Sequence, residues 1–220
     1  SKYYKQVISQ GCNDHRVFSN FAGILYSNKQ LDEAEILLKK AIKINPNFAS
    51  AHSNLGNILK DLGKLKEAEL STRKAIEINP NFADAHSNLG NILSDLRRLK
   101  EAELSYRKAI ALNPNLGNTY LNLGNILKDL GKLKEAELSY RKAIKINPDS
   151  AIAHSNLGNI LSVLGILKEA ELSTRKAIEI KPDSADAYYN LGNILSDLGR
   201  LKEAESSYHK AIEIQPDFAD

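Results

Sequence analysis

The chain has 220 residues, of which 42% are apolar and 26% charged, a composition typical of soluble proteins. Thirty basic residues against 27 acidic ones give a formal net charge of +3, too small for a general polyanion binder, so nucleic acid is not an expected partner. The single cysteine, Cys12, excludes an internal disulfide, and no apolar run reaches the length of a membrane span. We therefore expect no membrane partner and take the cytoplasm as the default location.

The six prolines set the period of the chain. They are separated by 34 residues each, a spacing that indicates a repeat array and excludes a single compact enzyme core: Pro46, Pro80, Pro114, Pro148, Pro182 and Pro216. We take Ala49 as the first position of a repeat, which gives six repeats at 15–48, 49–82, 83–116, 117–150, 151–184 and 185–218. Residues 1–14 are expected to form the second helix and turn of a truncated preceding repeat, and 219–220 to begin a further one, so a longer parent array is expected.

Each repeat predicts two helices. In repeat two, Leu55, Ile58 and Leu59 recur at helical spacing in the first half, and Ala68 and Thr72 recur in the second half. A 34-residue hairpin is too small to fold alone, so neighbouring hairpins must supply the core. The small residues at the helix crossing, such as Gly56 and Ala68, predict that the two helices approach closely there. Four residues after that alanine the gap between the helices is expected to be wider, and it is filled by Tyr106, Tyr140 and Tyr208 in their repeats.

Glycine is expected to end the first helix, because it adopts the left-handed conformation without a Cβ clash. Gly63, Gly131, Gly165 and Gly199 occupy this position. Arg97 replaces the glycine in repeat three, which predicts a locally looser turn there. After the prolines, Asn81 and Asp183 are candidates to cap the following first helices.

The repeated residues resemble the tetratricopeptide repeat family. In repeat four the pattern reads Tyr120, Leu123, Gly124, Leu127, Ala136, Tyr140, Ala143 and Pro148. The resemblance implies an all-α fold, an α-solenoid of stacked antiparallel helix hairpins in a right-handed superhelix, with the first helices on the concave side. The repeats are most similar to bacterial arrays and to O-GlcNAc-transferase arrays, which the run NPNFADAHSNLGNIL from Asn79 to Leu93 also resembles.

Asparagine dominates one side of the first helices, where repeat positions 2, 5, 6, 9, 12 and 13 share a face. Position 6 carries Asn20, Asn54, Asn88, Asn122, Asn156 and Asn190, and position 9 carries Asn57, Asn91, Asn125, Asn159 and Asn193. An amide side chain can pair with both the C=O and the N–H of an extended peptide, so these two rows are candidate peptide-binding ladders. The alternative is that they are surface residues bonded to the adjoining helix.

Four apolar residues interrupt this polar face in repeats four to six: Leu121, Ile152, Val163 and Tyr189. Together they could form a pocket for an anchoring side chain, although single exposed hydrophobic residues are common. The other charges on the face are six acidic against three basic, a net of −3, which favours a mildly basic or neutral peptide: Asp61, Asp84, Asp95, Asp129, Asp186 and Asp197 against Arg16, Lys60 and Lys128. The position-5 lysine of chaperone-tail-binding family members is missing, so that recognition is not predicted.

No catalytic residue, cofactor or metal site is predicted. His52, His86 and His154 recur in register but belong to hairpins about 10 Å apart, too far for one zinc ion, and are assigned to packing. Arginines on the second helix follow glutamates by four residues, which predicts ordinary surface pairs rather than a nucleic-acid site.

The sequence therefore favours a non-enzymatic interaction scaffold that binds a protein or peptide. The alternative is the substrate-recruiting arm of a larger glycosyl, sulfo or methyl transferase. Because the final helix should expose an apolar face, end-to-end self-association is also expected.

Overall fold

The computed structural model describes Tyr4, Gln6 and residues 11–216. Twelve α-helices follow one another between residues 11 and 216, and this part of the chain contains no strand. The first helices of the hairpins are α1 (His15–Ser27), α3 (Ala49–Asp61), α5 (Ala83–Asp95), α7 (Gly117–Asp129), α9 (Ala151–Val163) and α11 (Ala185–Asp197). The second helices are α2 (Leu31–Ile44), α4 (Leu65–Ile78), α6 (Leu99–Leu112), α8 (Leu133–Ile146), α10 (Leu167–Ile180) and α12 (Leu201–Ile214).

The chain divides into two compact units, Ser1–Pro114 and Asn115–Asp220, called unit one and unit two below. Within each unit a first helix packs on the second helix that follows it, and that helix packs on the next first helix. Successive first helices, such as α3 and α5 or α9 and α11, also touch. The predicted all-α solenoid of stacked hairpins is therefore confirmed.

Both units bury the apolar stripe of their first helices. In unit one, Phe18, Leu25 and Ile58 are almost fully buried in a core that also contains Leu38 of α2. Unit two contains a cluster of Leu191, Leu195 and Ala204, against which Ile178 and Tyr208 pack. Each hairpin thus obtains its core from its neighbours, as the length of the repeat requires.

The N-terminal segment is described only in part. Tyr4 is helical, and its ring stacks on Phe21 with the centroids 5.5 Å apart. Tyr3, Val7 and Ile8, which the sequence assigns to a preceding helix, lie outside the described residues, as do Phe218, Ala219 and Asp220.

The turns inside the hairpins have the left-handed residue that the sequence predicts. Gly63 has φ +75°, and Arg97 adopts φ 61° at the equivalent position. The looser turn predicted at Arg97 was wrong. The Arg97 amide donates to the Ser94 carbonyl at 2.9 Å, the same length as the bond from Gly63 to Lys60, so the backbone bonds hold the arginine in place despite a steric cost of roughly 1 kcal/mol.

The predicted helix caps were also wrong by one residue. The N-cap of α5 is Phe82 rather than Asn81, and that of α11 is Ser184 rather than Asp183. The Ser184 hydroxyl accepts from the Ala187 amide at 3.3 Å, and Ser150 caps α9 in the same way. Serine at this position satisfies an N–H that the helix itself leaves unpaired.

Close approach of the two helices in a hairpin depends on one glycine. A Cβ added at Gly124 would lie 2.5 Å from the ring of Tyr140, and Gly90 faces Tyr106 at the same distance. Tyr140 is fully buried, so its ring has no room to move away. The predicted role of the tyrosines, filling the gap beside small residues, is what the structure shows.

We expect Gly124→Ala to destabilise the protein by about 1–3 kcal/mol, because the added methyl group overpacks against a buried ring. The matched control is Gly23→Ala. Gly23 is also inside a first helix, but nothing lies within 4 Å of an added Cβ, so this change should stabilise the helix by about 0.5–1 kcal/mol. Thermal unfolding followed by circular dichroism should show shifts of opposite sign, and equal shifts would contradict this account of the contact.

Candidate functional site

The position-9 asparagines are tied to the second helix wherever that helix carries a tyrosine. The hydroxyl of Tyr106 donates to Asn91 Oδ1 at 2.7 Å, and that of Tyr140 donates to Asn125 Oδ1 at 2.9 Å. Tyr208 and Asn193 form the same bond. Burial raises the pKa of Tyr140 well above its usual range, so its phenol remains a proton donor. The alternative noted from the sequence, asparagine bonded to the adjoining helix, therefore holds at these positions.

Repeats two and five differ because threonine replaces the tyrosine. Thr72 and Thr174 are fully buried, and their Oγ1 atoms have no hydrogen-bond partner among the residues that the structure describes. Their position-9 residues, Asn57 and Asn159, lack the tyrosine hydroxyl and form no hydrogen bond with any described residue. The nature of one buried residue thus decides whether the neighbouring asparagine is occupied.

Some position-6 asparagines form hydrogen bonds with other side chains and some do not. Asn88 Nδ2 donates to Ser53 Oγ at 3.0 Å in unit one, and Asn156 Nδ2 donates to Asn125 Oδ1 at 2.9 Å in unit two. Asn122 is half-buried on α7. Three position-6 residues form no hydrogen bond with the described residues: Asn20, Asn54 and Asn190.

Five amides therefore remain fully open, with a free donor and a free acceptor. They are Asn20, Asn54 and Asn57 in unit one, and Asn159 and Asn190 in unit two. We call these the open asparagines. Sequence spacing placed all eleven on one face but did not separate open from occupied residues. The identity of the residue 15 positions after Asn91 or Asn125, tyrosine or threonine, is the signal that could have done so.

The four apolar residues do not meet in one pocket. Ile152 and Val163 lie at opposite ends of α9, 11 residues and so about 16 Å apart, and both are more than half exposed. Tyr189 packs near Tyr208, with ring centroids 5.8 Å apart, and Leu121 is half-buried on α7. The sequence could not exclude the pocket, because residues that share one face of a helix can still lie far apart along the helix axis.

A groove of about 440 Å³ lies in unit two between α9 and α11. Its walls include Ile152, Asn156 and Asn190, three residues that the sequence selects, together with Lys181 and Asp186. Lys181 lies in the turn between α10 and α11 and was missed by sequence reasoning, which considered the first helices alone. The groove brings apolar, amide and charged groups of the predicted face together.

The histidines have a structural role. His52 Nε2 lies 2.9 Å from the Pro46 carbonyl oxygen, and His154 contacts Pro148 in the same way at 3.0 Å. A carbonyl oxygen only accepts, so Nε2 carries the proton and the ring ties each first helix to the preceding turn. Among the described residues, no group of three or more His, Cys, Asp or Glu side chains could hold a metal ion.

The predicted surface pairs on the second helices are present. Glu69 and Arg73 lie 2.9 Å apart, and the equivalent pairs recur at Arg107, Arg141 and Arg175. The structure adds pairs between repeats that sequence spacing did not reveal, such as Arg98 with Glu69 at 2.6 Å and Arg200 with Glu171 at 2.8 Å. Because these glutamates bind arginine, the paired arginines of this surface are neutralised.

We call the side of the first helices that carries repeat positions 2, 5, 6, 9, 12 and 13 the asparagine face. Some of the charged residues counted on this face have hydrogen-bond or ion-pair partners. Asp61 accepts from the Tyr26 hydroxyl at 2.6 Å, and this bond raises the pKa of Tyr26 to about 12. Arg16 binds Asp14, the N-cap residue of α1, at 2.7 Å. The neutral Tyr26 hydroxyl leaves the charge of Asp61 unchanged, whereas Asp14 neutralises Arg16, so the net charge of the face in unit one is more negative than the sequence count suggests.

Three family models match the chain. One, described as TPR repeat, matches residues 23–63 and 124–165. A second, described as Tetratricopeptide repeat, matches residues 49–82, 83–116 and 185–218, and a third with the same description matches residues 105–137. The crystal structure of YrrB, described as a TPR protein with an unusual peptide-binding site, is 30% identical, with a TM-score of 0.73 over 83% of this chain and 94% of YrrB. The chain belongs to the tetratricopeptide repeat family.

Other solved structures match over similar lengths. MamA is 25% identical, with a TM-score of 0.70 over 75% of this chain and 96% of that protein. PilF of Pseudomonas aeruginosa is 19% identical but has a TM-score of 0.83 over 92% of both chains, which supports the fold. No curated protein sequence gives a significant match. Proteins of this family are generally non-catalytic scaffolds, and no helix within residues 11–216 is long and apolar enough to cross a membrane.

We expect Thr174→Val to raise the stability of the protein by about 1 kcal/mol, because it removes a buried hydroxyl without a hydrogen bond while keeping the shape of the side chain. The matched control is Tyr140→Phe, which removes a hydroxyl that does form a bond and should lower stability by about 1 kcal/mol. The midpoint of thermal unfolding should rise by about 2–4 °C for the first variant and fall for the second. A fall for both would show that Thr174 has a partner.

Proposed function

We propose that this protein is a non-catalytic scaffold that binds an extended segment of a partner protein along the asparagine face of its first helices. The observation that carries the proposal is the set of open asparagines. Each has an unused N–H donor and an unused C=O acceptor on a folded, rigid helix, which is the arrangement needed to pair with one peptide unit of an extended backbone.

The contrast between open and occupied asparagines supports this reading. Asn125 accepts two hydrogen bonds, from Tyr140 and Asn156, so both lone pairs of its oxygen are used. It can donate to a partner but cannot accept from one. Asn159 and Asn190 retain both functions, and so offer two-point contacts within unit two.

The comparisons favour the same class of partner. YrrB, the structure that matches at 30% identity, is described by its peptide-binding site. Backbone pairing does not depend on peptide side chains, so the asparagines provide affinity with broad tolerance. Aspartates on the face, including Asp84, Asp95 and Asp129, favour a partner segment that is neutral or mildly basic overall.

Binding energy can be estimated from the hydrogen bonds. Each hydrogen bond contributes about 0.5–1.5 kcal/mol net, so removing the two open amides of unit two, with two bonds each, should weaken a bound peptide by at least about 2 kcal/mol, or roughly 30-fold in Kd. Neither Asn159 nor Asn190 bonds to a described residue, so their loss should leave the fold intact.

The test uses peptides selected by display on the wild-type protein, with Kd measured by fluorescence anisotropy. We expect Asn159→Ala/Asn190→Ala to weaken binding by at least roughly 30-fold. The control Asn47→Ala/Asn81→Ala removes two exposed amides in turns outside the face and should leave Kd unchanged. Methylation of single backbone nitrogens of the peptide should weaken binding by about fivefold at the positions that pair. Equal Kd values for the two double variants, or failure to select any peptide, would refute the proposal.

A further inference from the structure

The groove between α9 and α11 differs from the rest of the asparagine face at two positions of one repeat. Ile152 stands where the other five repeats carry Arg16, Ser50, Asp84, Asn118 and Asp186. Lys181 stands where they carry Asn45, Asn79, Asn113, Asn147 and Gln215. Both exceptions fall in repeat five, and both line the same groove. An apolar side chain and a cation are therefore brought together at a single place in unit two.

Lys181 has no structural task in its turn. At the equivalent position Asn45 accepts from the Asn47 amide at 3.1 Å, and Asn79 accepts from Asn81 at 3.2 Å, so asparagine there closes the turn. A lysine side chain has no acceptor and cannot form this bond. It also forms no ion pair with a described residue, and its side chain is exposed at the groove. The ammonium group is free for a ligand.

Ile152 is equally unused by the fold. It is 62% exposed in the first turn of α9, although isoleucine is mostly buried in folded proteins. The remaining groove walls are uncharged apart from Asp186, and they combine polar residues such as Asn156 and Asn190 with the small apolar residues Ala151 and Ala177. The groove volume of about 440 Å³ is within the range of roughly 300–1,000 Å³ usual for small-ligand sites.

We infer that this groove is a subsite for an aliphatic side chain next to a carboxylate, within the partner segment. The inference rests on the proposed function. The aliphatic side chain covers Ile152, the carboxylate pairs with Lys181, and the open amide of Asn190 holds the intervening backbone. Asp186 adds an acceptor for N–H groups of the same segment and disfavours a second carboxylate. The carboxylate is either a peptide C-terminus or an Asp or Glu side chain.

The test compares four fluorescein-labelled hexapeptides that share the residues Ser-Gly-Ser-Gly. The first has Ser-Leu as its last two residues with a free C-terminus, and the second is its amide. The third is an amide with Leu-Asp at the end, and the fourth an amide with Leu-Asn. We expect the wild-type protein to bind the first, the third or both about fivefold more tightly than its uncharged counterpart, the size of a partly exposed ion pair. Preference for the first identifies a terminal carboxylate, and preference for the third identifies a side chain.

Three variants complete the experiment. Lys181→Gln should abolish the preference for carboxylate peptides, and Lys142→Gln, which removes an exposed and unpaired lysine of α8, should keep it. Ile152→Ser, which introduces the residue of repeat two, should weaken all four peptides by about fivefold. Circular dichroism should show unchanged helix content for each variant.

Failure of this inference is distinct from failure of the proposed function. The inference is overturned if charged and uncharged peptides bind within about twofold of each other, if Lys181→Gln retains the preference, or if none of the four peptides binds. The display-selected peptides with Asn159→Ala/Asn190→Ala judge the proposed function independently of Lys181, since removal of those amides should weaken peptides with and without a carboxylate.

Discussion

The residue at repeat position 24 lies on the second helix and packs closely against the first helix of the same hairpin. This contact governs both the packing and the candidate site of the protein. A glycine must be present because a Cβ at Gly124 would collide with the buried ring of Tyr140. The same ring carries its hydroxyl to Asn125, the residue that follows the glycine on the chain. A single side chain thereby fixes the distance between two helices and occupies the amide of Asn125. Under the proposed function, this contact couples the stability of the protein to its capacity to bind a peptide.

Substitution of threonine for that tyrosine has a structural cost and a functional consequence. In repeat five the hydroxyl of Thr174 is buried without a partner, and such a group costs about 1–3 kcal/mol. Asn159 remains open on α9, about one helical turn from Asn156, which lines the groove where Ile152, Lys181 and Asn190 are also unused by the fold. Three departures from the repeat pattern, Thr174, Ile152 and Lys181, thus fall in one hairpin of unit two. A scaffold whose repeats were equivalent would bind any extended backbone, whereas these exceptions give one segment of the face its own chemistry.

Much of the fold could be predicted from sequence because its determinants are local and repeated. The 34-residue spacing of Pro46 and Pro80, the apolar stripes and the turn glycines fixed the hairpins, and the i,i+4 pairs on the second helices followed from spacing alone. The errors arose where three-dimensional contacts decide. Arg97 keeps a regular turn because its backbone bonds are intact, and the four apolar residues do not converge because helix height separates Ile152 from Val163. The occupied state of Asn125 and the pairing of Arg98 with Glu69 depend on side chains from another helix, which periodicity does not place.

We propose that the buried residue at position 24 controls whether the neighbouring asparagine can bind a peptide. The most direct test is to exchange that residue in repeat five and measure the Kd of a selected peptide. Thr174→Tyr should place a hydroxyl on Asn159, as Tyr140 does on Asn125, and weaken the peptide by about fivefold because one acceptor is lost. Thr174→Phe fills the same space without the hydroxyl and should leave Kd unchanged. Equal Kd values for the tyrosine and phenylalanine variants would contradict the account.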